Sequence, residues 1–305
     1  MSDILADLTR KFKIAVVGDS FVSWDKSWLY GQQYSDEVPN GSHLQWCFNR
    51  YYPGKPGRPV PTVVTHGVPG LRLLDNKAMK KARQDSIQKA RPRWTEEFGF
   101  DCQPTESYQE WELIRDFLQS EKADMAVFFI GGNDILPKNP IGGVMPEPEN
   151  VTGLHNMAKK TMSKMRAASP DTQYMFWSPL YPRGGTDFMK GGSHQEYNGA
   201  ASTFNTLAAK YQRQPSNRRS NFQFIEAESG WLLEKNVFMP TFKGLENFTP
   251  VPLYWLENGG AYGRRCIHAD RKASLKSPDS DYLKVLYHPV CAAYDRFLDL
   301  YQRDS

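Results

Sequence analysis

Five short apolar runs, each stopped by turn-forming or polar residues, constrain this chain more than any other feature. Ile14-Ala15-Val16-Val17 ends at Gly18-Asp19-Ser20, and the run within 61–65, Thr62-Val63-Val64, leads to Gly67-Val68-Pro69-Gly70. Met125 to Ile130 ends at Gly131-Gly132-Asn133-Asp134, Tyr174 to Trp177 at Ser178-Pro179, and Phe222 to Ile225 at Glu226. Short runs that are apolar on both faces and closed by turn residues fit strands buried in a parallel sheet. Between them lie stretches with apolar residues at helical spacing. Ser107 to Leu118 carries Trp111, Ile114, Phe117 and Leu118, while Leu154 to Met165 carries Met157, Met162 and Met165. Tyr197 to Tyr211 and Ala292 to Tyr301 complete the set. This alternation predicts a three-layer α/β/α sandwich with right-handed crossovers.

No composition shift marks a second domain, so the 305 residues are expected to form one domain, 1–305. Two insertions interrupt it: a polar, basic one at about 77–104 and a Pro- and Gly-punctuated one at about 234–287. With 40% hydrophobic and 24% charged residues the chain has an ordinary soluble composition. A net charge of +4 is too mild to imply a nucleic-acid partner, and the basic cluster from Lys77 to Arg93 reads as a solvated helix face. The 4 cysteines are scattered without a Cys-x-x-Cys pair, which suggests neither a zinc site nor a secreted disulfide framework. The first residues have no basic segment followed by a long apolar one, so a cytoplasmic protein without an integral membrane segment is expected.

In open α/β sheets, ligands and catalytic groups collect beyond the carboxyl ends of the strands. Ser20 stands at such an end and is either a nucleophile or a plain helix cap. Its surroundings are not a Gly-x-Ser-x-Gly elbow, because Val22 occupies the position of the second glycine. Acyl transfer needs a nucleophile, a base and donors aimed at the oxyanion. The Gly70 backbone N–H and the Asn133 side-chain amide are suitable donors, since neither titrates. Taken singly, Gly70 is a turn glycine and Asn133 a helix cap.

In this order and spacing the blocks resemble the SGNH (GDSL-type) esterase and lipase superfamily, named for a serine, a glycine, an asparagine and a histidine. Gly18-Asp19-Ser20 corresponds to the first block, Gly70 to the second and Gly131-Gly132-Asn133-Asp134 to the third. The strand running into Ser178-Pro179-Leu180-Tyr181-Pro182 also matches. The resemblance implies a flavodoxin-like five-stranded parallel sheet. It also implies a serine esterase in which Ser20 attacks, and the N–H groups of Ser20 and Gly70 with the Asn133 amide hold the oxyanion. That chemistry calls for no metal or organic cofactor. Asp19 then braces its turn and is not the triad acid, and Asp134 is a supporting residue.

The histidine block is incomplete. The family pattern is Asp-x-x-His, often with Pro next and an aromatic six residues later. His288-Pro289 with Tyr294 fits the later half, but Val285 stands where the aspartate belongs. His268 is the rival, also without an acid three positions earlier. His288 is preferred because a final helix follows it. The missing acid leaves three possibilities: a Ser-His dyad oriented by a backbone carbonyl, a replacement such as Asp279 or Asp281, or a non-catalytic binder. For substrate, the absence of a long apolar lid favours a carbohydrate or other small acetyl ester, with lipase, lysophospholipase and thioesterase activities as alternatives. Phe238, Phe242, Phe248, Tyr254, Trp255 and Tyr262 would stack sugar rings, cover an acyl chain, or fill a core. A nucleotide binder of the same topology is disfavoured, as Gly18 is the sole glycine of the first turn.

Overall fold

The computed structural model describes residues 11–19, 22, 42–52, 54, 58–68, 71–73, 81, 85, 88–89, 92, 110–131, 134, 148–177, 194–217, 221–225, 231–232, 237–240, 251–252, 287, 290–291, 293–295 and 297–299. Five parallel strands form one sheet in the order β2-β1-β3-β4-β5. They are β1 (Lys13–Gly18), β2 (Thr62–Gly67), β3 (Met125–Phe129), β4 (Gln173–Trp177) and β5 (Phe222–Ile225). Each coincides with one of the apolar runs. Ala15, Val16 and Val17 of β1 and all of β3 are buried, as expected for strands covered on both faces. In register, Gly18 lies beside Gly67 on one side and Phe129 on the other, so the three strands end at one level.

The helices are α1 (His43–Tyr51), α2 (Glu110–Glu121), α3 (Pro148–Ala168) and α4 (His194–Arg213). A fifth, α5, comprises the helical residues described within 290–299. Right-handed crossovers send the β1-to-β2 helix to one face and the helices of the returning connections to the other. The contacts agree. Phe48 of α1 meets Tyr294 of α5 edge-on at 6.5 Å. On the opposite layer, Gln119 of α2 donates to the Ala168 carbonyl of α3 at 3.3 Å, and His155 of α3 packs on Phe204 and Tyr211 of α4. Helices on both faces of a 2-1-3-4-5 sheet make the three-layer, flavodoxin-like sandwich.

Helix α1 was not among the expected elements, although Leu44, Cys47, Phe48 and Tyr51 repeat at i, i+3, i+4, i+7. Ser42 caps it by accepting from the Gln45 N–H at 3.1 Å. The Gln45 side chain then covers edge strand β2: it accepts from the Val63 N–H and donates to the Pro61 carbonyl at 3.1 Å. In and beside the second insertion, β6 (Trp231–Leu232), β7 (Val237–Pro240) and β8 (Val251–Pro252) form a small antiparallel sheet. The side chains of the aromatic set proposed for that insertion lie outside the described residues. In the basic segment, Lys81 pairs with Asp85 at 2.8 Å, with both side chains about 60% exposed (61% and 60%), as a solvated helix face requires. No helix among the described residues is long and apolar enough to cross a membrane.

Candidate active site

The ends of β1, β2 and β3 converge at the topological switch point, where open α/β sheets bind ligands. Each is followed by a backbone hydrogen bond that closes a four-residue interval. The Val22 N–H donates to the Asp19 carbonyl at 3.1 Å, the Leu71 N–H to Val68 at 3.0 Å, and the Asp134 N–H to Gly131 at 3.1 Å. In sequence, the first interval contains Ser20, the second Gly70 and the third Asn133. Ser20, Gly70 and Asn133 themselves lie outside the described residues.

Further bonds lace these intervals together. The Val68 N–H donates to the Gly18 carbonyl at 2.8 Å, and the Asp19 N–H to the Phe129 carbonyl at 3.2 Å. The Leu73 N–H donates to both carboxylate oxygens of Asp134, at 3.0 and 3.1 Å. Asp19 and Asp134 are both buried, at 5% and 3% exposure. Main-chain bonds anchor Asp19 in its turn, while Asp134 reaches the neighbouring loop through its side chain.

Two glycines are required by this geometry. A Cβ on Gly18 would come within 2.5 Å of Val22 Cγ2 and 2.8 Å of the Phe129 carbonyl, closer than real atoms approach. Gly131 has φ 118°, a conformation that side chains rarely adopt. These are the leading glycines of the first and third blocks, and sequence pattern alone gave no reason why each had to be glycine.

The histidine block is seen through its neighbours. His288, His268, Asp279 and Asp281 lie outside the described residues. Tyr287 and Val290, on either side of His288-Pro289, are buried at 4% and 0%. The Tyr287 ring packs edge-on against Phe48 at 5.1 Å and Tyr51 at 6.2 Å. Desolvation, reinforced by neighbouring Cys291, pushes the Tyr287 hydroxyl well above the usual tyrosine range, so it stays protonated. Tyr294 is also fully buried, and its hydroxyl donates to the Pro59 carbonyl at 2.9 Å.

Farther along α5, Asp295 Oδ1 accepts from the Tyr52 hydroxyl at 2.8 Å and from Arg58 Nη1 at 2.6 Å. Arg58 Nη2 reaches Asp299 at 2.7 Å. This clamp was not anticipated, because its partners are 237 to 243 positions apart and carry no local pattern.

His66 and His155 each lie against an aromatic ring. His66 of β2 stacks on Phe117 of α2 at 5.0 Å. His155 is 5% exposed and stacks on Phe224 at 5.1 Å. Burial first, then the charge of Lys159, lowers its pKa to about 4, so it is neutral at physiological pH. Arg72, next to Leu73 in the loop that Asp134 holds, is a buried guanidinium that sequence reasoning missed. Among the described residues, no cluster of three or more His, Cys, Asp or Glu could hold a metal ion.

No family model and no curated protein matches the sequence. Solved structures do align along most of the chain. A GDSL-like lipase from Bacteroides thetaiotaomicron is 10% identical, covering 97% of this chain and 95% of its own, with a TM-score of 0.44. An acetyl xylan esterase is 11% identical over 92% of this chain and 99% of its own, with a TM-score of 0.41. LAE5, an alpha/beta hydrolase enzyme from the metagenome of Lake Arreo, Spain, is 14% identical over 95% and 99%, with a TM-score of 0.41. Similarity at this level assigns no activity.

Proposed function

We propose that this chain is a serine esterase of the SGNH (GDSL-type) kind. One observation carries the reading. Three adjacent strand ends at the switch point each lead into a hydrogen-bonded interval, and the three intervals contain, in order, the serine, glycine and asparagine of the motif. In this mechanism Ser20 Oγ attacks the acyl carbon of a carboxylic ester as His288 takes its proton. The Ser20 and Gly70 N–H groups and the Asn133 amide stabilise the oxyanion. His288 protonates the departing alcohol, and water then releases the acid from the acyl-enzyme. His288 is taken as the base over His268 because Pro289 and Tyr294 follow it in the family's pattern and the final helix comes next. Val285 in the place of the usual aspartate means that the ring is oriented by a backbone carbonyl or by Asp279 or Asp281.

The substrate class is a small acetyl ester, such as that of a carbohydrate. Its test is release of acid from nitrophenyl acetate, butyrate and octanoate and from an acetylated oligosaccharide. The reading expects kcat/KM to fall as the acyl chain lengthens, with activity abolished in Ser20→Ala. A rate that rises with chain length would replace the acetylesterase by a lipase. No turnover of any ester would remove the enzyme reading.

A further inference from the structure

The sheet order leaves a gap in the proposed oxyanion site that one side chain spans. β2 and β3 each pair with β1 and not with each other, so they lie two strand spacings apart, roughly 9.6 Å. Strands β2 and β3 therefore share no ladder hydrogen bond. One bridge between those loops is the Asp134 carboxylate, which accepts the Leu73 N–H at 3.0 and 3.1 Å. Strand β1, which ends at Gly18, lies between the two strands whose loops this bond joins. The same residue closes its own interval through its backbone N–H on Gly131. Asp134 is therefore fixed by its main chain to the loop bearing Asn133 and by its side chain to the loop bearing Gly70.

We propose that Asp134 is a positioning residue that sets the spacing between the two oxyanion donors contributed by the β2 and β3 loops. This rests on the esterase reading. Asp134 is 3% exposed, so its bond to the Leu73 amide is shielded from bulk water and costly to lose. An amide bonded to a buried carboxylate is also among the stronger hydrogen bonds available, suited to holding two loops at fixed separation. Donor position matters steeply: a misplacement of about 1 Å can lower the rate on the order of 100-fold.

The test uses the full chain with Asp134→Ala, Asp134→Asn and Asp134→Glu, assayed on nitrophenyl acetate and by hydrogen exchange at the Leu73 amide. Asn keeps an acceptor at the same reach, whereas Glu keeps the charge but displaces it by a methylene. Expected are a kcat loss of about 100-fold in Ala with KM nearly unchanged, a loss of only a few-fold in Asn, and a loss in Glu close to that of Ala. Leu73 exchange should quicken in Ala and remain slow in Asn. If Ala does not fold, the order Asn above Glu carries the test. Wild-type kcat in folded Ala, or Glu active and Asn inactive, would overturn the positioning role while the esterase stands. Failure of the wild type to turn over ester and to label at Ser20 would overturn both.

Discussion

Arg58 Nη1 lies 2.6 Å from Asp295 Oδ1, tying the segment before β2 to α5, the helix that follows His288. Arg58 is 35% exposed and Asp295 44%, so the pair is screened and contributes little to stability by itself. Arg58→Ala is expected to cost no more than about 1 kcal/mol, with the difference shrinking in 1 M salt. Tyr294 is the heavier anchor: Tyr294→Ala should cost about 3–5 kcal/mol through lost packing, and Tyr294→Phe about 1 kcal/mol through the hydroxyl bond to Pro59. Urea unfolding of the three variants checks the order. A loss in Arg58→Ala as large as that in Tyr294→Ala would contradict it.

Gly18→Ala and Gly153→Ala should move stability in opposite directions. A methyl at 18 meets Val22 and the Phe129 carbonyl, and overpacking of this kind costs about 1–3 kcal/mol. At 153, within α3, nothing lies within 4 Å of the added carbon, and alanine should stabilise the helix by about 0.5–1 kcal/mol. Gly18→Ala should also lose ester turnover, because Val22 and Phe129 are the partners that hold the first turn. Equal urea midpoints for the two variants would refute the close-packed turn.

His155 sets a pH dependence. Its pKa is about 4 in the fold against about 6.5 in the unfolded chain, so the unfolded state takes up the proton first. Stability should therefore fall as pH drops from about 6.5 toward 4, by up to about 3 kcal/mol from this group. His155→Phe removes that contribution within the ring cluster of Phe204, Tyr211 and Phe224. Comparing urea midpoints at pH 7.5 and 4.5, the variant should lose less than the wild type. Equal losses would mean that other groups govern the acid limb.

How much was legible follows from which forces are local. The five strands were readable because a strand buried on both faces must be apolar throughout, as Met125 to Phe129 is. Their order made the motif blocks neighbours, since β1 lies between β2 and β3. Helix α1 is hard to read from sequence because nine residues give little more than two turns of periodicity. The Leu73–Asp134 bond and the Arg58–Asp295 clamp join positions 61 and 237 apart, so only the folded chain brings them together. The necessity of Gly18 is likewise tertiary, as two of the three crowding atoms belong to Phe129 on another strand.

The most direct measurement is fluorophosphonate labelling of the purified chain, read by intact mass and peptide mapping, beside Ser20→Ala, His288→Ala and His268→Ala. The account predicts a single adduct on Ser20, absent in Ser20→Ala and strongly slowed in His288→Ala, with His268→Ala labelling like the wild type. An unlabelled wild type, or an adduct on another residue, would contradict the assignment of Ser20 as the nucleophile.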